Sequence, residues 1–553
     1  MARINGATLL ARNLKQQGVD YMFGIVGFPV QAIGSAAQRE GITYVGMRNE
    51  QAASYAAQAA SYLTGRPQAC LVVSGPGVIH ALAGLANAQA NNWPMILIGG
   101  ASETQHNGMG AFQEEAQVMA ARPFTKYAHA VEKVERIPFY VEQAVRTSLY
   151  GRPGAAYLDM PDDIIQAEVE EEDVVSAATV GAPPRPQAAA EDVARALDVL
   201  KTAEQPLAIV GKGMAWARAE AEVREFIDRT QLPFLPTPMG KGVVPDENPL
   251  SVAGARTYAL QNADVIFLLG ARLNWILHFG LPPRFRPGVK VVQLDISAEE
   301  IGTNVPAAAA LIGDGKAVMR QVNAALEAEP WQYPAETTWR TSLERRVREN
   351  RAEIESMMAD DATPMNYYRA LKDIRDAMPP DALLVSEGAN TMDISRSVLD
   401  HTQPRRRLDA GSYGTMGVGL GFAVAAAVTN PGKRIVDIEG DSAFGFSGME
   451  VETACRHKLP ITFIVMNNGG IGGGLVEGPR PDRPLPPSML SWDAHYEKVV
   501  EAFGGKGFFV DDPGKLMPAL REAMSTDGPS LVNVVIHPRA ARKPQEYRWH
   551  ATS

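Results

Sequence analysis

Gly440-Asp441-Ser442 and Asn467-Asn468-Gly469-Gly470 decide the reading of this chain. Asp441 and Asn468 stand 27 residues apart around an apolar run, 459–466, that reads as a buried parallel strand. Residues 447–458, just before that run, can form a helix, so both side chains would lie at strand carboxyl ends. Mg²⁺ takes hard oxygens in octahedral geometry and is held by few protein ligands together with phosphates, so the pair reads as a diphosphate clamp. Asp441 supplies a charge and Asn468 a neutral carbonyl. Without a metal, the same residues would be a strand-turn-helix with glycine-permitted turns.

The rest of the chain has room for more than one core. At 553 residues it calls for about three domains. Hydrophobic content of 46%, charged content of 21% and a net charge of −10 are those of a globular protein and disfavour nucleic acid as a partner. No apolar stretch reaches spanning length and the first residues lack an apolar signal core, so the expectation is a cytoplasmic protein without membrane contact. Cys70 and Cys455 are the only cysteines, which leaves no disulfide framework and no cysteine metal site.

Three blocks alternate strand and helix patterns, as doubly wound α/β domains do. Block one, residues 1–167, has strand runs at 21–26, 42–45, 69–73, 95–99 and 155–160. An acidic, then Pro/Ala-rich stretch, 168–190, reads as an extended linker. Block two, 191–345, has runs at 206–210, 265–269 and 289–294. Block three, 360–537, has runs at 383–386, 434–438, 461–466 and 531–536. The basic tail, 538–553, has no strand pattern.

Several motifs sit at the ends of these runs. Glu50, in Met47-Arg48-Asn49-Glu50-Gln51, follows a strand and opens an alanine-rich helix, where a carboxylate is expected near a pocket mouth or simply at a helix dipole. Residues 411–419 are glycine-rich and let backbone approach a ligand; Met416 lies within them. Ser386-Glu387-Gly388-Ala389-Asn390-Thr391 follows another strand.

Together these motifs resemble the thiamine diphosphate enzymes, and the likeness covers essentially the whole chain. It implies three doubly wound parallel-sheet domains: pyrimidine-binding (1–167), middle nucleotide-binding (191–345) and diphosphate-binding (360–537), with 538–553 as a lid. It implies Mg²⁺ on Asp441, Asn468 and Gly470, and cofactor contacts from Asn390, Thr391, Gly414, Met416, Ser442, Ala443 and Ile471. In the family, the glutamate matching Glu50 bonds the pyrimidine N1′ and favours the 4′-imino tautomer, which removes the thiazolium C2 proton. The site is shared between subunits, so a homodimer or homotetramer is implied.

Gly110-Ala111-Phe112-Gln113-Glu114, Trp93-Pro94, Gly151-Arg152-Pro153-Gly154 and Arg405-Arg406-Arg407-Leu408-Asp409 narrow the resemblance to 2-hydroxyacyl-CoA lyases, beside oxalyl-CoA decarboxylases. The decarboxylases carry Tyr-Glu where this chain has Phe112-Gln113, and an apolar wall with a neutral amide suits an alkyl chain better than a second carboxylate. The implied reaction cleaves a 2-hydroxyacyl-CoA to formyl-CoA and an aldehyde or ketone. Gln113 cannot be its base, which leaves the cofactor's imino nitrogen or Glu477. Arg405 and Arg407, with Arg539, Arg542, Lys543 and Arg548 of the tail, are expected to meet coenzyme A phosphates. Arg152, Lys212, Arg272, Asp295 and Asp314 are expected to hold ADP. An acetolactate synthase, with FAD in that place, is disfavoured by the Arg405–407 and tail patterns.

Overall fold

The computed structural model describes residues 3–540 and 542–543. Three parallel sheets carry the chain. The first has the order Thr43–Gly46, Tyr21–Gly24, Ala69–Val72, Met95–Ala101, Ala155–Pro161, Tyr127–Ala130. In the second the order is Phe234–Pro236, Pro206–Val210, Val265–Leu269, Lys290–Asp295, Ala307–Ile312. The third runs Arg407–Asp409, Leu383–Ser386, Ile435–Gly440, Ile461–Asn467, Ser530–Val535, Lys506–Val510. Helices flank each sheet, so the central strands are buried on both faces and are apolar almost throughout.

The first and third domains share one apolar core. Helix Glu50–Thr64, rich in Ala, packs on helix Gly419–Thr429, rich in Ala and Gly, and the small side chains let their backbones approach closely. A Cβ on Gly421 would stand 2.6 Å from the carbonyl oxygen of Ala52. Trp93 stacks on Tyr62 at 4.8 Å and meets Phe422 at 5.4 Å, which joins the two domains through aromatic faces contributing about 0.5–1.5 kcal/mol per pair.

The stretch read as a linker is not free. Glu168–Glu170 pairs antiparallel with Arg3–Asn5, and Val180 donates its N–H to Gln17 Oε1 at 2.7 Å. Arg66 donates to the carbonyl of Val180 at 3.0 Å. These side chains satisfy the backbone of the strap, so its first half belongs to the first domain. Within 447–458, read as helical, lies helix Glu450–Arg456, and a separate short helix, Asp441–Ser447, precedes it.

Candidate functional site

Neighbouring strands of the third sheet end at the clamp. Gly440 pairs with Met466 in parallel register, so Asp441 and Asn468 emerge side by side at the carboxyl edge. Asp441 is 3% exposed and opens a helix. One carboxylate oxygen accepts the Ser442 N–H at 2.8 Å, and the other accepts the N–H groups of Gly469 at 2.8 Å and Gly470 at 3.1 Å. Asn468 Oδ1 accepts the same Gly470 N–H at 3.1 Å, so the two oxygens converge on one donor. The Asn468 amide is turned that way by donating to the Tyr367 hydroxyl at 2.9 Å. Burial pushes the Asp441 carboxyl up to about 6, a cost that a bound cation would offset.

This donor set fits Mg²⁺ completed by phosphates. Among the described residues no cluster of three His, Cys, Asp or Glu side chains stands ready for a metal, and one carboxylate with one amide oxygen is the sparse, hard set such a cation accepts. Gly469 adopts φ +75° and Gly472 φ +78°, a backbone open to glycine, so the loop turns its amides and carbonyls over the strand ends. Asn390 Nδ2 donates to the Gly472 carbonyl at 3.2 Å, and Thr391 and Ala443 are buried beside the cradle. Ser442 is half-buried, whereas Ile471 is 58% exposed.

The loop that carries Gly414 and Met416 is anchored by Glu387, an acid to which its motif assigns no role. Glu387 is fully buried and accepts the Gly419 N–H at 2.5 Å and the Gly417 N–H. Asp437 and Glu439 are buried with it, and burial raises all three carboxyls. Met416 is partly buried and Gly414 exposed on this loop.

A second group gathers at the carboxyl edge of the first sheet. Glu50 has a side chain 17% exposed, and its carboxylate lies 3.2 Å from His80 Nδ1 on helix Pro76–Asn91. The start of that helix meets Gln113: Ser74 Oγ donates to Gln113 Oε1 at 3.1 Å. Phe112 is 66% exposed and packs edge-on against Phe28 at 5.9 Å. The structure thus brings Glu50, Phe112 and Gln113 to one edge, joined through a helix whose His80 the sequence reading did not single out. A histidine one turn into a helix carries no signal without the fold.

Glu477 follows the glycine turns of the clamp in the chain. Its side chain is 73% exposed on a loop and pairs with Arg480.

The arginines assigned to coenzyme A are corrected by the structure. Arg407 is 2% exposed and bound to Asp409 at 3.4 Å and to Ser395 Oγ at 2.9 Å. Arg405 is paired with Glu220 and donates to the Ala215 carbonyl at 2.6 Å. Both hold the third domain to itself or to the second rather than facing solvent phosphate. In the tail, Arg542 pairs with Asp393 and Lys543 with Glu353, while Arg548 lies outside the described residues. With those arginines committed, they no longer argue against an acetolactate synthase. A cluster that the sequence spacing hid is Arg256, Arg284 and His278, drawn together by the turn Trp275–Gly280; burial, then the two arginine charges, push His278 down to about 3.

All five residues assigned to a nucleotide line one cavity of about 540 Å³ at the carboxyl ends of the middle sheet. Arg152 bridges Asp295 and Glu300 at 3.0 Å each. Asp314 caps helix Gly315–Ala328 through the Ala317 N–H at 3.0 Å. Arg272 donates to the Ala90 carbonyl at 2.7 Å and to Ser412 Oγ at 2.8 Å, and Lys212 sits over the Trp93 ring at 5.2 Å. Burial, then the Arg272 charge, lowers Lys212 to about 7.

Models of thiamine pyrophosphate enzyme domains match this chain in three places: the N-terminal TPP binding domain at 4–121, the central domain at 193–322 and the C-terminal TPP binding domain at 387–534. The chain is similar to 2-hydroxyacyl-CoA lyase 1 of Homo sapiens, 51% identical over 99% of this chain and 97% of that protein. It is also similar to the 2-hydroxyacyl-CoA lyase of Oryza sativa subsp. japonica, 43% identical over 97% of this chain and 96% of that one. Oxalyl-CoA decarboxylase of Escherichia coli (strain K12) is 41% identical over 97% of this chain and 95% of its own length.

Proposed function

The chain belongs to the 2-hydroxyacyl-CoA lyases among the thiamine pyrophosphate enzymes, and from that premise we propose that it cleaves 2-hydroxyacyl-CoA to formyl-CoA and an aldehyde or ketone. The bond between C1 and C2 breaks, C2 leaves as a carbonyl after losing its hydroxyl proton, and a proton returns to C1. Bound thiamine diphosphate supplies the carbon nucleophile and the electron sink. Asp441, Asn468 and the Gly470 carbonyl would hold Mg²⁺ and, through it, the diphosphate. Glu50 would hold a proton at the pyrimidine end.

The observation that favours the lyase over oxalyl-CoA decarboxylase is the pair Phe112 and Gln113. A phenyl ring packed on Phe28 and an amide already bonded to Ser74 offer an apolar, uncharged wall, which suits an alkyl group. Incubation with Mg²⁺, thiamine diphosphate and either a 2-hydroxyacyl-CoA or oxalyl-CoA, with formyl-CoA followed by mass, tests it. Formyl-CoA is expected at least about tenfold faster from the hydroxyacyl substrate, with matching aldehyde or ketone. The reverse preference would make the chain a decarboxylase.

Exposed Phe28, Ile79 and Phe112 near the first group, and Phe446, Met449 and Ile471 near the second, support a homodimer or homotetramer in which a second copy covers both. No helix among the described residues is long and apolar enough to cross a membrane; a cytoplasmic location is part of the proposal.

The middle cavity is assigned to ADP, its phosphates on Lys212 and Arg272. Burial lowers Lys212 to about 7, and a phosphate beside it restores the charge, so binding takes up protons. ADP affinity is therefore expected to be highest below pH 7 and to weaken by up to about tenfold per pH unit above it. Calorimetry at pH 7.5 in buffers of different ionisation enthalpy reads the proton uptake; Lys212→Met should abolish it.

A further inference from the structure

The loop that leads into Glu50 is built from its own domain but is held by another. Residues 46–49 connect strand Thr43–Gly46 to helix Glu50–Thr64. Gly46 pairs with Gly24, the Met47 N–H donates to the Gly24 carbonyl at 2.8 Å, and the Asn49 carbonyl accepts the Ala53 N–H at 2.9 Å. The next two N–H groups, of Arg48 and Asn49, both donate to a single oxygen of Glu450 at 3.0 Å. Glu450 is fully buried at the start of helix Glu450–Arg456 in the third domain, and its other oxygen accepts the Thr453 hydroxyl at 2.7 Å. One helix turn on, Arg456 donates to the Gly46 carbonyl at 2.6 Å and is itself steadied by Glu452 at 3.0 Å. Asn49 then caps the helix, its side chain accepting the Gln51 N–H at 2.7 Å.

A buried carboxylate that spends one oxygen on two consecutive backbone amides fixes the peptide plane between them. That peptide, Arg48–Asn49, holds the helix cap Asn49, one residue before Glu50, so it sets where the helix and with it the Glu50 side chain start. We infer that Glu450 is a positioning residue for Glu50: it clamps the Arg48 and Asn49 amides so that the Glu50 carboxylate is presented to the pyrimidine end of the cofactor at a fixed angle. The inference rests on the reading of Glu50 given above. A role as simple glue between domains would demand only that Glu450 stabilise the fold. A positioning role demands more, because a small rotation of the Arg48–Asn49 peptide moves a carboxylate several bonds away, and a misplacement of about 1 Å at a reacting group costs about 100-fold.

Glu450→Gln separates the two. It keeps an oxygen for both amides and an NH₂ that the Thr453 hydroxyl can accept from, whereas Glu450→Ala leaves both N–H groups without a partner. In the cofactor-free protein, amide hydrogen exchange across residues 46–50 is expected to speed up by about tenfold or more in Glu450→Ala and to stay near wild type in Glu450→Gln. In the loaded protein, deuterium exchange at C2 of bound thiamine diphosphate is expected to slow by about 100-fold in Glu450→Ala and to recover in Glu450→Gln. Cofactor affinity should change little, since the Asp441 end is untouched. Glu450→Ala that melts earlier yet exchanges C2 at the wild-type rate overturns the inference, and so does Glu450→Gln behaving as Glu450→Ala. Should Glu450→Ala fail to fold, Thr453→Val carries the test: it removes only the hydroxyl that steadies the carboxylate, and unchanged C2 exchange in it overturns the inference. A wild-type protein that binds no thiamine diphosphate overturns this inference together with the functional reading. Wild-type binding and exchange with no effect of the variants overturns this one alone.

Discussion

Glu50→Gln is expected to lower kcat by about 10³-fold while leaving the fold and the cofactor's affinity close to wild type. The side chain opens helix Glu50–Thr64, and glutamine there keeps the length, the shape and the Asn49 cap. Its contact in the chain is His80, at 3.2 Å and largely exposed, so an amide leaves no buried group stranded. What the variant removes is the ability to hold a proton at that point. General acid–base groups contribute about 10²–10⁴-fold, and the upper part of that range is expected where no other carboxylate stands in for the lost one. The measurement is kcat with 2-hydroxyacyl-CoA beside a thermal melt and a cofactor titration. More than a tenth of wild-type turnover retained would remove Glu50 from the chemistry.

The central strands were legible because burial on both faces demands continuous apolar runs. Ala69–Val72, Val265–Leu269 and Ile461–Asn467 all announce themselves this way. Of the edge strands, only Thr43–Gly46 did, as the run at 42–45. Tyr127–Ala130, Phe234–Pro236, Ala307–Ile312, Arg407–Asp409 and Lys506–Val510 all lie at sheet edges, are short or half-exposed, and mix polar or small residues into the run. The clamp was legible for a related reason: two strand ends and glycine turns are local features, and parallel register does the rest. Arg405 and Arg407 misled because charge in a sequence does not show whether a partner waits inside. Asp409 and Glu220 are brought to them only by the fold. Glu387 and Glu450 were invisible for the opposite reason, since a buried acid looks like any surface acid until its backbone donors from distant segments are seen.

Asp441→Ala is expected to abolish Mg²⁺-dependent retention of thiamine diphosphate, and Asp441→Asn to do nearly the same with less damage to the fold. The carboxylate has two tasks that these variants pull apart. As an acceptor it satisfies the N–H groups of Ser442, Gly469 and Gly470, and leaving buried donors unmet costs about 1–3 kcal/mol each. Alanine therefore loosens the loop of residues 468–472 and lowers the melting temperature. Asparagine keeps one oxygen for the Gly469 and Gly470 N–H groups but sets its NH₂ against the Ser442 N–H, so its melt should lie between those of alanine and wild type. As a charge, Asp441 is the sole carboxylate of the clamp, since Asn468 offers an amide and Gly470 a carbonyl. Losing one charged partner from a buried site costs about 3 kcal/mol, which is about 100-fold in dissociation constant, and both variants lose it. Equilibrium dialysis with thiamine diphosphate at fixed Mg²⁺, set beside melts of the metal-free proteins, measures the two tasks separately. Wild-type affinity in Asp441→Asn would mean that the convergence of Asp441 and Asn468 on the Gly470 amide is a turn-closing device and that the diphosphate is held elsewhere.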